Sequence, residues 1–186
     1  FLGRYDGELW KADGAAVRGL DYVATLGTLS IPPGATSGLV SVPIIGDSLY
    51  ESDETVFVTL TNASANVTIG NSRAQGTILN DDPLPAISIN DAEVIEGNAG
   101  TANLVFTVSL SAPSAETVTV GYATADDLAT ASDDYVSRSD VLIFQPGETR
   151  KPITVPVRGD RFPETDETFF VTLTNPVGAQ PGTMRG

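Results

Sequence analysis

Two acidic loops carry the residues of this chain that are best suited to chemistry. Residues 46–62 read GDSLYESDETVFVTLTN, and residues 159–175 read GDRFPETDETFFVTLTN. Each loop offers four carboxylates within eight residues and then runs into an alternating apolar stretch. Carboxylate oxygens are the ligands of hard cations such as Ca²⁺ and Mg²⁺. The spacing therefore points to a cation site, and the simpler alternative is an acidic face that is merely solvated.

The amino-acid composition narrows the kind of site. The chain has 186 residues and a formal net charge of −14, and it contains neither cysteine nor histidine. These absences exclude disulfides, thiolate metal sites, serine–histidine triads and most transition-metal sites. The negative charge repels nucleic acid and attracts cations. Any metal must therefore be a hard ion bound through oxygen.

Two other functions are disfavoured by the same sequence. A carboxylate pair such as Glu164 and Glu167 could act as the acid pair of a glycosidase. The pair recurs in a tandem repeat, however, and no aromatic-lined cleft is predicted around it, so we predict that the chain is not an enzyme. No apolar run approaches the ~20 residues that cross a bilayer, and we predict no membrane insertion.

An internal repeat organises the chain. Residues 21–63 align without a gap with residues 134–176, and 21 of the 43 pairs are identical. We predict one domain over residues 1–82 and a second over residues 83–186, joined by a short proline-stiffened linker. The first copy lacks its opening strands and the second lacks its last strand. Either neighbouring subunits supply these strands in a filament, or the chain is a cropped piece of an array.

Alternation of apolar and polar residues predicts strands throughout. Leu104, Phe106, Val108 and Leu110 share one face of such a stretch, and glycine, proline, asparagine and aspartate interrupt the stretches at short intervals. This pattern is typical of an antiparallel β-sandwich with about seven strands. We therefore predict an all-β chain of two tandem immunoglobulin-like sandwiches, both incomplete.

Four stretches resemble the Calx-beta domain family. They are VIEGNAGTANLVFTVSLS, YATADDLATASDDY, FQPGETRKPITVPVRGDRFPETDETFFVTLTNP and TILNDD. The family occurs in sodium–calcium exchangers, in an integrin tail and in long bacterial surface proteins. In the exchanger, the resemblance implies, the domain binds Ca²⁺ at the loops of one end of an immunoglobulin-like sandwich.

The resemblance also implies which residues bind the ion. In the first copy the implied metal ligands are Asp13, Asp47, Glu51, Glu54, Asp81 and Asp82, and in the second copy they are Glu96, Asp126, Asp160, Glu164 and Glu167. Three positions depart from the exchanger pattern, because Gly46, Gly159 and Asn80 stand where it has aspartate or another acid. These departures favour fewer or weaker ion sites.

We predict from these features a calcium-binding structural or adhesive repeat of an extracellular or cell-surface protein. Its partners would be neighbouring copies of the same domain, other surface proteins or glycans, and it would extend or stiffen a stalk or filament. One alternative is a calcium-sensing regulatory domain attached to a membrane or signalling partner. Another is a carbohydrate-binding module centred on Trp10.

Overall fold

The computed structural model describes the backbone of residues 7–13 and all of residues 15–186. The chain divides into two compact units, the second of which begins at Asp82 and also takes in residues 49–51. Every regular element of the described residues is a β-strand, which confirms the all-β fold. Consistent with this, the described residues contain no helix long and apolar enough to span a membrane.

The first unit is built around the repeated strand ETVFVTL. Its strands are β1 (Gly7–Asp13), β2 (Thr28–Leu29), β3 (Glu54–Leu60) and β4 (Arg73–Ile78). They form an antiparallel sheet in the order β2-β1-β3-β4. Within the described residues a small core of Ala16, Tyr22 and Val56 packs in this unit.

The second unit contains two sheets. Its strands are β5 (Ala86–Ile89), β6 (Gly100–Leu110), β7 (Val118–Asp126), β8 (Ser139–Phe144), β9 (Arg150–Gly159), β10 (Phe169–Val177) and β11 (Gln180–Pro181). One sheet has the order β10-β7-β8 and the other the order β11-β5-β6-β9. All pairs are antiparallel except β11 with β5.

The core of the second unit follows the predicted alternation. Leu104, Phe106, Val108 and Leu110 of β6 are all buried, and the residues between them are more exposed. Inward-facing residues of β5, β7, β9 and β10 join them in one apolar cluster between the sheets. The predicted sandwich is therefore confirmed. Pro156 lies in β9, an edge strand, where its missing N–H removes no bond from a further neighbour.

The repeat in sequence is also a repeat in structure. Tyr22 and Tyr135 are the buried anchors of corresponding loops, with 0% and 1% of their surface exposed. Two main-chain hydrogen bonds around each tyrosine recur at the repeat offset. In the first copy Ile45 N–H donates to Asp21 O and Val23 N–H donates to Pro43 O, both at 2.9 Å. In the second copy Arg158 N–H donates to Asp134 O at 2.7 Å and Val136 N–H donates to Pro156 O at 2.8 Å. The Asp-Tyr pair thus pins one loop against the strand region before each acidic loop.

Candidate metal site

Three loops of the second unit surround an open pocket of about 820 Å³. They are residues 90–99, 127–138 and 160–168, which connect β5 to β6, β7 to β8 and β9 to β10. Within the part of the chain that the structure describes, the pocket is lined by six carboxylates and by no lysine or arginine; the six are Glu93, Glu96, Asp134, Glu164, Asp166 and Glu167. Apolar side chains, among them Leu104, Val157 and Phe169, form the remaining wall. The pocket therefore favours cations.

Two groups of three carboxylates meet at Glu164. Glu96, Asp160 and Glu164 form one group, and Asp134, Glu164 and Glu167 form the other. In each group one oxygen per residue lies within 4.8 Å of the other two. Ca²⁺ holds its oxygen ligands at about 2.3–2.6 Å, so two ligands of one ion lie at most about 5 Å apart. The spacing of both groups fits a shared calcium ion.

Glu164 lies where the two carboxylate groups meet. Partial desolvation raises the pKa of its carboxyl above the usual range, and the neighbouring charges of Asp160, Glu167, Glu96 and Asp134 add to the effect. A raised carboxyl pKa means that folding disfavours the ionised form, so this group weakens the ion-free fold once the pH rises above its unfolded pKa. A bound cation compensates the repulsion and removes that cost.

Asp134 is not among the ligands that the resemblance implies. Its Oδ2 accepts a hydrogen bond from the main-chain N–H of Thr130 at 2.7 Å, which holds the loop after β7 in place. The same carboxylate also reaches the acidic loop and joins Glu164 and Glu167. The signal in the sequence was the repeat itself, because Asp21 and Asp134 occupy the same repeat position.

Asp126 was predicted as a ligand, and the structure places it beside Tyr135. Its Oδ1 accepts hydrogen bonds from the Tyr135 hydroxyl at 2.5 Å and from the N–H of Ala131 at 2.9 Å. Burial, together with the hydrogen bond to Asp126 and its charge, raises the pKa of Tyr135 to about 12. Among the described side chains Asp126 belongs to neither carboxylate group. A ligand role for Asp126 stays a prediction.

Tyr135 connects this corner of the site to the core. Its ring stacks on Phe169, with 4.2 Å between the ring centroids. Phe169 lines the pocket and also makes an edge contact with Phe106 in the core. The acidic loops therefore rest on the packed interior of the sandwich rather than on a mobile surface.

In the first unit the structure brings Asp21 and Glu54 within ligand spacing of each other. These residues correspond to Asp134 and Glu167 of the second copy in the repeat alignment. Asp21 is 7% exposed and accepts a hydrogen bond from the N–H of Val17, the counterpart of the bond from Thr130 to Asp134. The ligand set that the resemblance implies contains Glu54 but not Asp21, and Glu51 belongs to the second unit.

The remaining predicted ligands of the first copy are not brought into such a group. Asp47, Asp81 and Asp82 lie outside the carboxylate groups found among the described side chains. The acidic loop still meets the end of β4, because Asp53 Oδ1 accepts a hydrogen bond from Asn80 N–H at 3.0 Å. The side chains of Asp13 and Trp10 lie outside the described residues.

The chain matches the Calx-beta domain twice, over residues 8–83 and over residues 80–184. Among curated proteins it is 31% identical over 165 residues to the sodium/calcium exchanger Calx of Drosophila melanogaster, covering 88% of this chain and 17% of the exchanger. It is 28% identical over 191 residues to human sodium/calcium exchanger 3, covering 91% of this chain and 21% of the exchanger. The chain thus spans about a fifth of the length of these exchangers.

Two further likenesses complete the comparison. A zebrafish (Danio rerio) protein, adhesion G-protein coupled receptor V1, is 31% identical over 172 residues, which is 86% of this chain and 3% of the receptor. Among solved structures, the calcium binding domain CBD12 of CALX1.1 is 29% identical and covers 92% of this chain and 68% of its own, with a TM-score of 0.42.

The predicted extracellular or cell-surface location is wrong. It is overturned by the matches to sodium/calcium exchangers of Drosophila melanogaster, Rattus norvegicus and Homo sapiens. The motifs that suggested a surface protein also match the exchangers, so they could not decide the location.

The fold and the sequence agree on the relationship. Two adjacent copies match over residues 8–184 in total, and the described residues are all-β with a sandwich in the second unit. The resemblance noted in the four sequence stretches is thereby confirmed. The chain belongs to the Calx-beta domain family.

Proposed function

We propose that this chain is a calcium-sensing regulatory segment of a membrane transport protein related to sodium/calcium exchangers. Its role is to bind Ca²⁺ on the cytoplasmic side and to pass the bound state to the attached transporter. This role replaces the adhesive role predicted from the sequence, and it is regulatory rather than catalytic. Support comes from the tandem Calx-beta matches and from the exchangers among the relatives.

The observation that carries the proposal is the pair of carboxylate groups that share Glu164. Five carboxylates, Glu96, Asp134, Asp160, Glu164 and Glu167, arrive from three loops and come close enough to surround cations. Without bound cations these neighbouring negative charges repel one another. Bound ions turn this repulsion into attraction, so the loops are expected to tighten on binding.

The donor set favours calcium over magnesium. Ca²⁺ accepts six to eight oxygens in irregular geometry, which suits carboxylates from separate loops. Mg²⁺ requires a near-ideal octahedron and gives up its waters reluctantly. A wide, open pocket with many carboxylates therefore selects the larger ion.

Isothermal titration calorimetry of the whole chain with CaCl₂ tests the proposal. A sensor is expected to bind with a dissociation constant of about 10⁻⁷–10⁻⁵ M, the range of calcium sensors, and to bind Mg²⁺ far more weakly. Glu164→Gln removes the carboxylate shared by both groups and is expected to weaken binding at least about tenfold, the size of effect that residues of metal sites show.

Glu116→Gln is the matched control, because Glu116 is exposed in the loop between β6 and β7, away from the pocket-lining residues. It is expected to leave the affinity unchanged. Millimolar binding, or binding that Glu164→Gln and Glu116→Gln affect equally, would contradict the proposal.

A further inference from the structure

Gly159 ends β9 where the backbone of another loop comes unusually close. A Cβ atom at this position would lie 2.5 Å from the carbonyl oxygen of Glu96 and 2.7 Å from that of Gly97. Its φ does not lie in the left-handed region, so backbone freedom does not account for the glycine. The glycine is required for space, because no side chain fits between β9 and the loop before β6.

This close approach places Glu96 at the acidic cluster. Gly159 pairs with Gly100 at the first residue of β6, and the chain from Glu96 to Gly100 lies against the end of β9. Asp160 follows Gly159 directly. Glu96 thereby comes within ligand spacing of Asp160 and Glu164, although it is more than sixty residues away in sequence.

We infer that Gly159 is a positioning residue that seats Glu96 in the cation site of the second copy. The inference rests on the proposed calcium-binding function. It adds to that function the residue that decides whether the loop of Glu96 contributes a ligand. A side chain at residue 159 would push the Glu96–Gly97 backbone away from β9. An aspartate at residue 159, as in the exchanger pattern, has no room here.

The first copy supplies a matched control. Gly46 occupies the same repeat position as Gly159, but a Cβ atom at Gly46 meets no atom of the described residues within 4 Å. In the described part of the first copy, no close approach of another loop therefore requires a glycine at residue 46. An alanine is tolerated there and serves to report any unspecific effect of the substitution.

A double-variant cycle read by calcium calorimetry on the whole chain tests the inference. Gly159→Ala and Glu96→Gln are each expected to weaken calcium binding about tenfold, in the range that supporting residues of metal sites show. Gly46→Ala is expected to match the wild type. The variant carrying both Gly159→Ala and Glu96→Gln is expected to bind no more weakly than Glu96→Gln alone, because both changes remove one ligand.

A merely structural role predicts a different result. Independent effects of Gly159→Ala and Glu96→Gln that multiply in the double variant would overturn the inference, as would wild-type affinity in Gly159→Ala. Either result leaves the proposed function standing, whereas absence of calcium binding in the wild type overturns both.

Amide hydrogen exchange of the wild type gives a readout that does not depend on the folding of a variant. Calcium is expected to slow exchange at residues 96–100 and at Gly159 together, and unchanged exchange at both would contradict the inference.

Discussion

Asp134 shows how one side chain serves structure and site at once. One of its oxygens holds the N–H of Thr130, and the carboxylate also lies with Glu164 and Glu167. The neighbouring Tyr135 is buried and anchors the same loop. The proximity of Asp134 to the acidic loop was not predictable, because the two lie thirty residues apart and meet only through the packing of loops.

Asp134→Asn is expected to weaken calcium binding about tenfold, since it removes a charge from the group that includes Glu164. The amide oxygen can still accept the bond from Thr130, so the loop is expected to keep its conformation. Asp133→Asn, a neutralisation of the adjacent exposed residue, is the control and is expected to have little effect. Calcium calorimetry on both variants checks this. Equal effects of the two substitutions on calcium affinity would contradict a ligand role for Asp134 and leave it only the hydrogen bond that holds its loop.

The pKa of the Tyr135 hydroxyl is raised to about 12 by burial and by Asp126, so this group is expected to titrate well above the ordinary tyrosine value of about 10. Folding favours the neutral form, so the contribution to stability is complete below the ordinary pKa of about 10 and is lost as the pH rises towards 12. Absorbance at 295 nm during an alkaline titration measures this. Asp126→Asn is expected to lower the pKa of Tyr135, and Tyr135→Phe to reduce the absorbance change near pH 12 by the share of one tyrosine. An unchanged absorbance change in Tyr135→Phe would contradict the assignment.

At the scale of elements, β9 joins the core to the site. Its inward residues Ile153 and Val155 pack between the sheets, and its last residue, Gly159, lies beside the loop of Glu96. Strands of this kind were predictable, because alternation over five or more residues fixes which face is buried. The short parallel pairing of β11 with β5 was not, because two residues carry no alternation.

Ile153→Ala is expected to destabilise the second unit by about 2–5 kcal/mol, since it opens a cavity in a well-packed core. Ile143→Ala makes the same change on edge strand β8, where the side chain is 48% exposed, and is expected to cost much less. Denaturant unfolding followed by far-ultraviolet circular dichroism compares the stability of the two variants with that of the wild type. Similar losses in both would show that the sheets do not pack as described.

At the scale of the whole molecule, part of the charge follows the repeat. Eight of the 24 acidic residues lie in the two duplicated loops, and carboxylates that meet in both copies correspond in the repeat alignment. The sequence predicted the tandem sandwiches and most of the acids that converge in the second copy. The location was predicted wrongly, because the motifs that indicated a surface protein also match sodium/calcium exchangers.

The most direct test of the account is a crystal structure of the chain grown with calcium, with the ions located by anomalous scattering. We expect ion density in the second copy at about 2.3–2.6 Å from oxygens of Glu164 and of at least one residue from each group, Glu96 or Asp160 and Asp134 or Glu167. Calcium bound elsewhere, or no ion at these carboxylates at saturating concentration, would contradict the account.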